Sequence, residues 1–186
     1  FCLYSEEPSA KMFWVDGKII AEGTAQDSII FDRIQDDINY NWGSIYMTED
    51  ADLSIFKHCK VVNAAGIWVA VSVPTKGLCF NNGRGIVTNC TFINNAISIY
   101  SESTFVSELV ITNNTFIIND DVNPYYPTYN YGRNFIYSNY YGPDDPSQHA
   151  LVANNNFYGI SWYICTSAYD YLYFCKNLYI ILASSI

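Results

Sequence analysis

Within this 186-residue chain, the side chains best suited to chemistry gather in one stretch: Asp120, Asp121, Tyr125, Tyr126, Tyr129, Tyr131, Arg133, Asp144 and Asp145. Paired carboxylates accept hydrogen bonds from hydroxyl groups or hold Ca2+ through oxygen ligands. A tyrosine ring offers an apolar face with a hydrogen-bonding edge, the combination that stacks on a sugar. Tyr137, Tyr140 and Tyr141 bring the stretch to seven tyrosines. The plainer reading is a proline-pinned loop, DDVNPYYPTYNYGRNFIYSNYYGPDDP, whose rings cover the side of the fold.

Several other chemistries are poorly supplied. Cysteines stand at 2, 59, 79, 90, 165 and 175 without a CxxC pair, and His58 and His149 lie far apart, so no zinc spacing occurs. Six cysteines allow fifteen full pairings in an oxidising compartment, although small buried thiols are the simpler expectation. A net charge of -9 repels phosphate backbones, which argues against nucleic acid as a partner. The apolar run from Tyr171 to Ala183 is interrupted by Lys176 and Asn177 and is shorter than the ~20 residues of a membrane-spanning helix. The chain opens at Phe1 with no basic segment leading into an apolar run, so we expect a piece of a longer polypeptide. Nineteen Asn and seventeen Tyr favour an exported, turn-rich β protein.

The elements that must position the stretch announce themselves as a repeat. Four segments align: SIFKHCKVVN from Ser54, GIVTNCTFIN from Gly85, LVITNNTFII from Leu109 and LVANNNFYGI from Leu151. One column is apolar (Phe56, Val87, Ile111, Ala153) and the next is polar (His58, Asn89, Asn113, Asn154). Then come Cys59, Cys90, Asn114 and Asn155, followed by apolar Val61, Phe92, Phe116 and Phe157. Measured on the cysteine column, the copies are 31, 24 and 41 residues apart. Apolar residues two apart mark short strands, and Asn between them marks a bend because it tolerates the left-handed backbone. Strand, bend, strand and a longer return make one coil of a parallel β-solenoid, with equivalent side chains stacked ~4.8 Å apart. Stacked Asn can bond one another, and His58 is expected to head that column as a structural member rather than a catalytic base.

These columns resemble the repeat of right-handed parallel β-helix proteins of the pectate-lyase type and of bacterial surface proteins. GKIIAEGTAQDSIIFDRI from Gly17 and NWGSIYM from Asn41 are similar to the leading coils of secreted bacterial members. The resemblance covers about residues 15–165. It implies an all-β, right-handed parallel β-helix as one domain over 1–186, with coils at 15–42, 43–65, 66–96, 97–120, 121–160 and 161–186. The Tyr-rich insertion then occupies 121–146, and a smaller one lies around KGLCFNNGRG from Lys76. The resemblance further implies an extracellular or cell-surface bacterial setting and a polysaccharide or surface glycan as partner.

Three functional expectations remain open. The first is a non-catalytic module for glycan binding or adhesion, needing no cofactor, with the nine residues of the opening paragraph as its ligand site. The second is a lyase or hydrolase acting on uronate-containing polysaccharide; a lyase of this kind requires Ca2+ on carboxylates and a Lys or Arg to remove a proton. Asn119-Asp120-Asp121 is similar to the paired aspartates of the hydrolases, but Gly83-Arg84-Gly85 lacks the family's His and no Arg-Ile-Lys occurs. The third is a structural spacer. Asn89-Cys90-Thr91 and Asn113-Asn114-Thr115 match the N-glycosylation pattern, but with both Asn assigned to the ladder no glycan is expected. Thr88 with Thr112 and Thr91 with Thr115 should form two-member stacked rows, too short for an ice-binding face.

Overall fold

The computed structural model describes residues 11–32, 42–64, 76–81, 84–95, 97–103, 108–119, 134–140, 151–159, 163–166, 173–175 and 178–180. They form short strands and no helix. In chain order these are β1 (Lys11–Val15), β2 (Ile20–Glu22) and β3 (Ile29–Phe31); β4 (Trp42–Met47), β5 (Ser54–Lys57) and β6 (Cys59–Val62); β7 (Leu78–Phe80), β8 (Arg84–Thr88) and β9 (Thr91–Ile93). There follow β10 (Ile97–Ser103), β11 (Glu108–Thr112) and β12 (Thr115–Ile117); β13 (Asn134–Tyr140), β14 (Leu151–Ala153) and β15 (Asn156–Tyr158); β16 (Tyr163–Thr166), β17 (Tyr173–Cys175) and β18 (Leu178–Ile180).

Every third strand returns to the same sheet. The first sheet runs β1-β4-β7-β10-β13-β16, the second β2-β5-β8-β11-β14-β17 and the third β3-β6-β9-β12-β15-β18. Pairing is parallel throughout these sheets, as in Val61 opposite Phe92 and Phe116 opposite Phe157. Three stacked parallel sheets without helices are the architecture of a β-solenoid, compatible with a parallel β-helix.

The core lies between the sheets. The first contributes Ile45, Leu78, Ile99 and Ile136, the second Ala21, Phe56, Val87, Ile111 and Val152, and the third Val61, Phe92, Phe116 and Phe157. Phe92, Phe116 and Phe157 stack face to face at 4.9 Å, with interplanar angles of 9° and 12°. Each ring buried this way contributes about 1.5–3 kcal/mol. One aligned column shifts by a residue: Ile111 pairs with Val152, and Ala153 pairs with Thr112. Gly85 is demanded by packing, because a Cβ there would enter the Phe80 ring.

The bends behave as the Asn signal predicts. His58, Asn89, Asn113 and Asn154 have φ of 50°, 54°, 59° and 57°, each at the step from second to third sheet. Asn63 and Asn94 repeat the device after β6 and β9, with φ of 57° and 54°. Asn89, Asn113 and Asn154 are solvent-exposed, while the residue after each turns inward and is buried. This corrects the placement of the two glycosylation-pattern Asn: neither Asn89 nor Asn113 belongs to the buried ladder, because a left-handed residue at the corner throws its side chain outward.

The buried ladder is the next column, and it mixes thiols with amides. Asn155 Nδ2 donates to Ile111 O at 2.9 Å, and its Oδ1 accepts from the Asn114 backbone N–H at 2.9 Å and from Asn114 Nδ2 at 3.1 Å. One step along, Asn114 Nδ2 donates to Val87 O at 3.0 Å and its Oδ1 accepts from Cys90 N–H at 2.8 Å. Cys90 repeats the pattern in sulfur: its Sγ accepts from Cys59 N–H at 3.4 Å and lies 3.5 Å from Phe56 O and 3.3 Å from Thr88 O. Cys59 Sγ lies 3.3 Å from Ala21 O and 3.5 Å from Lys57 O. Both thiols are free. A thiol, which donates and accepts weakly, stands in for the carboxamide at two successive rungs. Outside that column, at the corner after β9, Asn95 makes the same kind of contact: it accepts from Ala64 N–H at 2.8 Å and donates to Val61 O at 2.9 Å.

Candidate functional site

Asp120, Asp121, Tyr125, Tyr126, Tyr129, Tyr131, Arg133, Asp144 and Asp145 lie outside the described residues. What is described is the strand between them. β13 falls inside the Tyr-rich stretch and pairs with β10, placing Tyr137 opposite Tyr100 in the first sheet. The stretch assigned to an insertion thus contains a strand of the first sheet, and the residues of 121–146 on either side of it lie outside the described residues. Likewise, LCF of KGLCFNNGRG is β7 itself; the extra length falls between Val62 and Leu78.

β13 continues a register that begins on β1. On the face of the first sheet turned away from the core, Trp14 pairs with Tyr46, Tyr46 with Cys79 and Cys79 with Tyr100, and the backbone register runs on from Tyr100 to Tyr137. Trp14 and Tyr46 stack at 4.6 Å and 28°. That separation is close to the ~4.8 Å between strands, so the rings face each other along the column. Trp14 is 54% exposed, and its indole N–H donates to Asp16 Oδ1 at 2.9 Å.

Further along, the column is covered. Cys79, Ile97 and Tyr100 form a small apolar cluster of their own, with Tyr46 packed against it. The Lys76 ammonium lies over the Tyr100 ring, and the residue is only 1% exposed. An ammonium removed from water gains from the negative π face, by about 2 kcal/mol when desolvated. Two environments thus share one column: exposed Trp14 stacked on half-buried Tyr46, and a sealed cluster at Cys79 and Tyr100.

Electrostatics elsewhere are modest. Arg84 Nε pairs with Glu108 at 2.9 Å on the exposed side of β8 and β11, a pair worth little in water. The stacked thiols are the perturbed groups: the hydrogen bond from Cys90 holds Cys59 below the usual thiol range, while its bond to Cys59, with burial, pushes Cys90 up. Among the described residues, no three His, Cys, Asp or Glu side chains are grouped to hold a metal ion. The carboxylates expected to bind Ca2+ in a lyase are among those outside the description. No helix of the described residues is long and apolar enough to cross a membrane.

His58 takes the left-handed corner that Asn occupies in the other copies, and so does not head the buried ladder expected of it, which runs one residue later through Cys59. Trp14, Asp16, Tyr46 and Lys76 were not singled out from the sequence. The period-two alternation of KMFWV and GSIYM carried the signal for Trp14 and Tyr46, which occupy the same outward phase. Comparison of the chain with family models, curated proteins and solved structures finds no match in any of the three. The class is accordingly defined by the architecture alone: an all-β protein of stacked parallel sheets.

Proposed function

We propose that the chain is a right-handed parallel β-helix module of six coils, exported to the cell surface or beyond, that binds glycans without catalysis. The observation carrying this reading is the position of β13. The first sheet bears an aromatic pair, exposed Trp14 on Tyr46, at its β1 end, and in sequence the tyrosine- and aspartate-rich segments lie on either side of β13 of the same sheet. A surface that combines aromatic rings with carboxylates suits sugars, whose C–H faces stack and whose hydroxyls donate. The acidic balance of the chain favours neutral or basic glycans over polyanions unless Ca2+ bridges them.

A glycan array, followed by titration of the retained sugar, tests the proposal. The triple change Tyr125→Ala, Tyr126→Ala and Tyr129→Ala should weaken binding at least tenfold with no loss of β signal. An array with no retained glycan would favour the structural spacer. In parallel, incubation with pectin or alginate and Ca2+ should yield no unsaturated product. Turnover that vanishes with Arg133→Ala or Asp121→Ala would replace this reading with the lyase.

A further inference from the structure

We infer that Cys59 and Cys90 form a redox-gated latch, silent while the ladder is closed and locking it open once oxidised. The two residues are directly opposed, since Lys60 pairs with Thr91 and Val61 with Phe92. Both point inward, exposed by only 1% and 2%. In the closed ladder each sulfur lies against carbonyl oxygens, Ala21 O and Lys57 O for Cys59, Phe56 O and Thr88 O for Cys90. Cys90 Sγ also receives the Cys59 N–H. The native rung is therefore built around two free thiols, each used as a hydrogen-bonding group.

Oxidation removes what the rung uses. A glutathione-class disulfide accepts two electrons, its S–S bond breaks, and the two protons lost from Cys59 and Cys90 appear on its two thiols. In the protein one Sγ–Sγ bond forms and both S–H donors disappear. The buried carbonyls lose their sulfur partners, and the link must adopt a Cβ separation shorter than the strand spacing. Burial denies the oxidant access until the turns around β5, β6, β8 and β9 open, so the reaction captures the open state.

The test uses the full chain with oxidised glutathione, in native buffer and in urea below the unfolding midpoint, with peptide mapping and thermal melts after the urea is removed. We expect a Cys59–Cys90 link forming at least tenfold faster in urea, and linked protein melting lower by about 4 °C or more, restored by dithiothreitol. Cys90→Asn should keep the reduced melting point and lose the redox response. Equal linking rates in both buffers, a linked form that melts at or above the reduced one, or no Cys59–Cys90 link in either buffer would overturn the inference. The wild-type map and melts decide it even if the variant does not fold.

Discussion

At the scale of single residues, neighbours in sequence do opposite work. Asn113 makes a left-handed corner and faces water, whereas Asn114 is buried and makes bonds in both directions along the stack. Asn113→Gly should therefore leave stability within about 0.5 kcal/mol, while Asn113→Val should lose about 1–2 kcal/mol, since a β-branched residue resists positive φ. Asn114→Ala should lose about 2–4 kcal/mol in urea unfolding, because the buried Cys90 N–H loses its acceptor and Val87 O the amide that donates to it. His58→Asn should be tolerated within about 0.5 kcal/mol, as Asn fills that corner in every other copy. Phe116 sits between two parallel rings and against Phe135, so Phe116→Ala should lose about 3–5 kcal/mol.

At the scale of elements, β8 shows how one strand depends on a neighbour in another sheet. Gly85 leaves the space that the Phe80 ring of β7 occupies. Gly85→Ala should force that ring aside and lower stability by about 1–3 kcal/mol, an effect that Phe80→Leu should partly relieve in a double-mutant cycle. The same view explains why the Tyr-rich stretch reads poorly from sequence. NFIYSNY carries strand propensity, but so does a loop rich in tyrosine. Its pairing with β10 gives it to the first sheet.

At the scale of the whole molecule, every strand finds its partners one turn away, so stability should run along the stack as a chain of nearest-neighbour interfaces. Amide exchange should then be slowest in β8, β9, β11 and β12, which have paired strands on both sides and the stacked phenylalanines between them. Faster exchange is expected in β1, β2 and β3, at the end of each sheet. Uniform protection along the stack, measured by mass spectrometry, would show a single cooperative unit instead.

The amino-acid order alone determined the repeat: period-two apolar pairs, Asn bends and inward phenylalanines in GIVTNCTFIN and LVITNNTFII identify stacked strands because local backbone preference and burial agree there. Local pattern could not say which of two adjacent Asn is buried, that Cys59 and Cys90 take amide places in the ladder, or that Trp14, Tyr46, Cys79 and Tyr100 form one column. Those relations join residues 20 or more positions apart, through registers one strand spacing wide. Only the tertiary stacking decides them, because a one-residue shift in register exchanges the inner face of a strand for its outer one.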